Sequence, residues 1–179
     1  MPISGTGWEL LIQRKSVQNG PVRARTVGSY QVFRDGTAVP TLSGTTAESG
    51  GPSSNVRRGV RISPGRYALA TQDGSHYKTI GYSPSLSVGV NPKPGIELTG
   101  TGSRSEILIH PGKNSFLSSI GCINLCTSLP RASEPIDYPG SRTRVIALIE
   151  DMKAYLGASF PARDGRPIPN AHVVIEEIP

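Results

Sequence analysis

Tyr30-Gln31-Val32-Phe33-Arg34-Asp35-Gly36 reads as a strand closed by an Asp-Gly pair. That pair marks a hairpin, because it tolerates the positive φ angles that a two-residue turn between twisted strands demands. Upstream, Trp8-Glu9-Leu10-Leu11-Ile12-Gln13 reads as another strand, and Asn19-Gly20-Pro21 supplies a turn between the two. Residues 8–39 are therefore expected to form antiparallel β-structure. Downstream, residues 41–59 hold seven Ser or Thr, four Gly and one Pro with almost nothing apolar. This stretch is expected to be a flexible surface loop rather than a domain boundary, since neither flank shows a separate core.

Order returns at Val60-Arg61-Ile62, with a turn at Ser63-Pro64-Gly65 and a strand at Arg66-Tyr67-Ala68-Leu69-Ala70. Ser85 to Val90 alternates between polar and apolar residues, and Ser105 to His110 is the most apolar strand, stopped by Pro111-Gly112. One helix is expected from about Thr143 to Leu156. Val145, Ile149, Met152 and Leu156 share a face, Ser141 or Thr143 is positioned to cap the start, and Gly157 to end it. Pro161 to Pro169 reads as a rigid connector, with His172-Val173-Val174-Ile175-Glu176 as the last strand, so that 161–179 is a C-terminal connector plus strand.

Composition agrees with this pattern. The chain has 179 residues, enough for one domain with a real core. Glycine (21) and proline (16) make up about a fifth of it, against an average of about 12%. No glycine recurs at every third position, which excludes collagen, and the apolar runs are too short for a membrane-spanning helix. The expected fold is therefore mainly β with one principal α-helix, in a single domain over residues 1–179.

The formal charge is +6 and the pI about 9.6, which favours anionic partners without naming one. Nucleic acid is not expected: Arg23, Arg25, Arg57, Arg58, Arg61, Arg66, Arg142 and Arg144 are scattered and read as solvated, and few aromatic residues are available for stacking bases. Met1-Pro2-Ile3-Ser4-Gly5 lacks a basic segment followed by an apolar core. Any action outside the cytoplasm is thus expected to use a route other than a classical signal peptide, after synthesis in the cytoplasm.

Chemistry concentrates in Ile107 to Asn114 and Ser118 to Asn124. A catalytic thiol needs a nearby base and backbone N–H groups aimed at an oxyanion. His110 at a strand end and Cys122 after a glycine fall twelve positions apart across a turn. Gly121 lets the backbone turn tightly, leaving its own N–H and that of Cys122 to donate. The plainer reading of the same residues is an inert buried cysteine and a surface histidine. A Cys122–Cys126 disulfide is geometrically awkward, and a zinc site from His110, Cys122 and Cys126 lacks a fourth ligand. Cys126 is expected to be a buried packing residue. His76 and His172 carry no motif and are expected on the surface.

Together these residues resemble the signature of the L,D-transpeptidase (YkuD-like) catalytic domain, an upstream histidine followed by Ser/Thr-His-Gly-Cys, an apolar residue, and Asn or Arg. Ser119, Gly121, Cys122, Ile123 and Asn124 match its end, and His110 the upstream histidine. Ile120 stands where the motif has a second histidine, and the gap from His110 to Ser119 is short. Both departures are similar to divergent members of the family, among them uncharacterised phage and bacterial domains and type VI secretion effectors that attack peptidoglycan. Ile62-Ser63-Pro64-Gly65-Arg66-Tyr67 also looks like the family's Thr-Pro-x-Gly-x-Tyr/Phe segment.

The resemblance implies a compact β-sandwich or mixed sheet and cysteine-dependent acyl transfer on peptidoglycan stem peptides, with no cofactor and no metal. Cys122 would be the nucleophile, His110 the base, Gly121 with the Cys122 amide the oxyanion donors, and Ser119 a support for the geometry. Pro111, Gly112, Asn114 and Asn124 would bind substrate, with Tyr67 and Tyr82 as further candidates. An antibacterial effector or phage enzyme of this kind would have a secretion-system carrier and a cognate immunity protein as partners. The alternative is a wall-binding or structural module that keeps the fold without the chemistry.

Overall fold

The computed structural model describes residues 2–179. Its strands are β1 (Trp8–Asn19), β2 (Ala24–Arg34), β3 (Thr37–Ser49), β4 (Gly65–Thr71), β5 (Tyr77–Lys78), β6 (Lys93–Pro94), β7 (Ile96–Leu98), β8 (Ile107–Pro111), β9 (Ile123–Cys126) and β10 (Pro167–Glu176), with helix α1 (Tyr138–Leu156) between β9 and β10. The Asp35-Gly36 turn behaves as read, with φ of 47° and 77° joining β2 to β3. The expected mainly β fold with a single α-helix is what forms. The sheet is mixed, as one of the two expected arrangements had it, and it closes into a barrel in the order β1-β10-β4-β7-β8-β9-β3-β2. β1 runs parallel to β10 and β8 parallel to β9; the other barrel neighbours are antiparallel. β5 and β6 form a separate pair.

Alternation sets what each strand buries. Leu10 and Ile12 of β1, Tyr30 and Val32 of β2, and Ile107 and Ile109 of β8 enter one core with Ile123 and Leu125 of β9. Val145, Leu148, Ile149 and Met152 of α1 join the same core. Trp8 Nε1 donates to Asp151 Oδ2 at 2.8 Å, tying the helix to β1. The helix starts five residues earlier than the spacing of its apolar face suggests, because Asp137 caps it by accepting from the Gly140 N–H. Ser141, read as a cap, instead accepts from the Gly112 N–H at 2.9 Å and donates to the Leu125 carbonyl. Gly157 does end the helix. Among the described residues no helix is long and apolar enough to cross a membrane.

Two expectations fail here. Residues 41–49 of the expected flexible loop belong to β3, which pairs with β2 on one edge and β9 on the other. Its buried positions are Thr46, Ala47, Glu48 and Ser49, so an apolar pattern could not reveal it. Arg14 of β1 makes a two-pronged ion pair with Glu48, at 2.9 and 2.8 Å. Pro40, Thr41 and Leu42 bulge out of the pairing with β2, where a residue without an N–H costs no ladder bond. Arginines read as solvated are also buried, among them Arg25, Arg61 and Arg142. Arg25 satisfies its guanidinium with the Phe116, Glu134 and Arg131 carbonyls, and Arg61 with Ser53, Thr26 and Glu177, which is what burial of a cation requires.

Candidate active site around Cys122

The parallel register of β8 and β9 places the candidate residues together. His110 pairs with Asn124 and Ile109 with Ile123, so Cys122, one residue before β9, faces Leu108. Ile109 and Ile123 point into the barrel, and the alternation puts His110, Leu108, Asn124 and Cys122 on its outer face. His110 and Cys122 are thereby diagonal neighbours across two strands. Both line one depression of about 300 Å³, with Arg23, Leu117, Ser118, Ser119 and Ile120. Two further depressions reach the same cysteine. One, of about 200 Å³, is bounded by Gln72, His76, Tyr77, Glu106 and Leu108; the other, of about 300 Å³, by Arg58, Arg104, Ser105, Glu106, Ile107 and Ile120.

His110 is only 3% exposed. Its Nδ1 lies 2.8 Å from the Pro111 carbonyl oxygen; an acceptor there requires Nδ1 to carry the hydrogen, which leaves Nε2 as the basic nitrogen. The Tyr77 ring lies against the imidazole with centroids 4.4 Å apart. Burial brings the His110 pKa down to about 4, the Pro111 hydrogen bond opposing and Lys113 and Lys93 assisting. The ring is therefore neutral near pH 7. Burial likewise raises the Cys122 thiol, against the Leu108 N–H and Arg104, which favour the thiolate. The sulfur accepts from the Leu108 N–H at 3.3 Å and lies 3.5 Å from the Glu106 carbonyl, to which its S–H donates. The pair rests in its neutral form.

Ser119 shapes the turn that carries the thiol. Its Oγ donates to the Cys122 carbonyl and accepts from the Gly121 N–H at 3.0 Å, which pins the turn between them. The same bond corrects the expected oxyanion pair: the Gly121 N–H is already engaged by Ser119. Gly121 is required for space and conformation, since φ is +139° and a Cβ there would meet Arg104 at 1.8 Å. Arg23 braces the loop by donating to the Ser119 carbonyl at 3.0 Å and to the Leu117 carbonyl.

Of the residues expected to bind substrate, Pro111 and Asn124 adjoin His110, while Gly112 and Asn114 bond to α1. Pro111 and Gly112 are buried, and a Cβ on Gly112 would lie 2.4 Å from Ile136. Asn114, with φ of 51°, accepts from the Tyr138 N–H at 2.8 Å at the start of α1. Asn124 is fully buried; it accepts from the Ser118 N–H at 3.1 Å and donates to the His110 carbonyl at 3.2 Å. None of the four lines the three depressions described above. Tyr67 bonds to Ser63 and Asn55 and Tyr82 packs on the core. Tyr77 is the tyrosine at the site. His76 is exposed as expected, yet it borders a depression with Cys122. No local motif marks Tyr77, His76 or Arg23; they arrive through the β5–β6 pair and the β1–β2 turn.

Both cysteines are free thiols. Cys126 is 1% exposed, and burial pushes its thiol up to about 12. Iodoacetamide near neutral pH is expected to alkylate Cys122 well before Cys126, as peptide mass spectrometry would show. Equal rates would remove the distinction on which a reactive Cys122 depends. The chain matches no family model, no curated protein and no solved structure.

Proposed function

We propose that the protein is a cysteine acyltransferase of the L,D-transpeptidase or L,D-carboxypeptidase type, acting on peptidoglycan stem peptides. The observation that carries this reading is the cavity shared by Cys122 and a histidine whose Nδ1–H is spent on a carbonyl, which leaves Nε2 to accept a proton. The S–H first leaves the Glu106 carbonyl. Nε2 then takes its proton as the sulfur attacks the carbonyl of the diaminopimelate residue, forming a C–S bond and a tetrahedral oxyanion. Collapse breaks the C–N bond to D-alanine, and the imidazolium returns the proton to the departing amine. The thioester is then attacked by water, by another stem's amine or by a free D-amino acid, each deprotonated by His110. Delivery to a wall by a secretion machine, or release at phage lysis, belongs to this proposal, as does the immunity protein a producer would need.

One observation favours a second reading, a wall-binding module without turnover: the thiol is raised by burial and its S–H faces a carbonyl instead of the base. Incubation with disaccharide tetrapeptide separates the two. The enzyme is expected to release D-alanine and to yield an acyl adduct on Cys122 by mass spectrometry of the quenched reaction. Sedimentation with purified wall, without release or adduct, would overturn the catalytic reading.

A further inference from the structure

Arg58 and Glu106 are exposed, carry opposite charges and border the same depression of about 300 Å³ beside Cys122. Among the described residues neither side chain has an ion-pair partner within 4.0 Å, and they do not pair with each other. Arg104, 7% exposed, lines the same depression. It donates to the Ser54 carbonyl at 2.8 Å and the Ile120 carbonyl at 3.4 Å, so its partners are neutral acceptors and its charge is not cancelled. Glu106 is held with φ of 55°, an uncommon conformation for a residue with a side chain. Its backbone carbonyl thereby meets the Cys122 sulfur while its side chain borders the depression.

Two cations and one anion in a single small depression select against simple ions. A lone carboxylate drawn to Arg58 and Arg104 meets Glu106, and a lone ammonium drawn to Glu106 meets two guanidinium groups. A ligand bearing both charges on one carbon satisfies both sides at once, and a fork of guanidinium donors suits the planar carboxylate. We infer that this depression binds a free α-amino-acid head group, its carboxylate toward Arg58 and Arg104 and its ammonium toward Glu106. The inference rests on the acyltransferase reading for its biological ligand, the free end of the diaminopimelate side chain. That group would sit beside the thiol while the other end of the same residue presents the carbonyl to be attacked. The pocket would then determine specificity for a diamino-diacid over lysine at the acyl-donor position.

The test reads occupancy by protection of a neighbouring thiol. The full chain, Arg58→Gln and Glu106→Gln are alkylated with iodoacetamide in the presence of meso-diaminopimelate, pimelate or cadaverine, with thermal melts confirming that each variant is folded. Protection of Cys122 by meso-diaminopimelate is expected at concentrations about tenfold lower than by either analogue, each of which carries charges of one sign only. That advantage is expected to vanish in both variants. Equal protection by pimelate, protection unaffected by both substitutions, or no protection by meso-diaminopimelate overturns the pocket. Alkylation needs no turnover, so the two proposals fail separately. Selective protection without D-alanine release keeps the pocket and sinks the enzyme; release without selective protection does the reverse.

Discussion

Cys122→Ala is expected to abolish D-alanine release, and His110→Gln to lower kcat/KM about a hundred- to ten-thousand-fold, the usual contribution of a positioned acid–base group. The alanine variant removes the atom that forms the thioester, so no second route through the same intermediate is left. The glutamine variant keeps a donor-bearing side chain in the buried position but supplies no basic nitrogen. The pH profile makes the prediction specific to this site. Only neutral imidazole accepts the thiol proton, and burial holds His110 at about 4. Activity is therefore expected to persist through mildly acidic pH and to fall with an acid limb near pH 4. A limb in the ordinary histidine range would instead mean that His110 becomes protonated far more readily than its burial permits. Both variants are to be compared with the wild type by thermal melting, so that loss of fold is separated from loss of chemistry.

Glu48→Ala is expected to destabilise the fold by about 3–5 kcal/mol, read as a lower urea midpoint, because it strands the charge of a buried arginine. The Arg14 and Glu48 side chains are 0% and 1% exposed. Burial alone would lower the Arg14 pKa, yet the hydrogen bonds and charge of Glu48 outweigh it and raise it. Arg14 also donates to the Ile62 carbonyl at 2.7 Å, so its loss of Glu48 is only partly offset. The double variant Arg14→Met/Glu48→Leu is expected to recover most of the loss, since two apolar side chains leave no unpaired charge. If the single substitution proves neutral, the pair contributes little to tying β1 to β3 across the intervening β2. Acid weakens the same region through Glu177, which borders Arg14 and Arg61. Burial would raise its pKa, but the Ser53 hydrogen bond and the two arginines lower it overall. That contribution is present above the ordinary glutamate range and is lost as pH falls through the lowered folded value.

Much of the fold is legible because its signals are local. Asp35-Gly36 permits its own positive φ angles, Gly157 ends its own helix, and the strand expected to end at His110 runs one residue further, through Pro111, before Gly112. Which way His110 faces was not legible, because Ile107-Leu108-Ile109 is apolar throughout and only the packing of Ile107 and Ile109 into the core puts the histidine on the other face. β3 was illegible for the converse reason. Its buried side chains are polar and become tolerable only when Arg14, 34 residues upstream of Glu48, reaches them. The arginines were misread in the same way, since Arg25 and Arg61 look solvated until carbonyls and carboxylates from distant segments surround them.

The candidate site divides along the same line. The sequence by itself determined that a histidine at a strand end and a cysteine after a glycine were the residues to watch, because the turn chemistry of Pro111-Gly112 and Gly121 is carried by those residues. Only the tertiary structure decided that they share a face, through the parallel register of β8 and β9. It also left Pro111, Gly112, Asn114 and Asn124 outside the three depressions beside the thiol, and brought Tyr77, His76, Arg23, Arg58, Arg104 and Glu106 around it. The physical reason is the range of the interactions. Backbone preferences act within a few residues and are written where they operate, whereas strand pairing, burial and charge act across space between segments whose meeting no local pattern encodes.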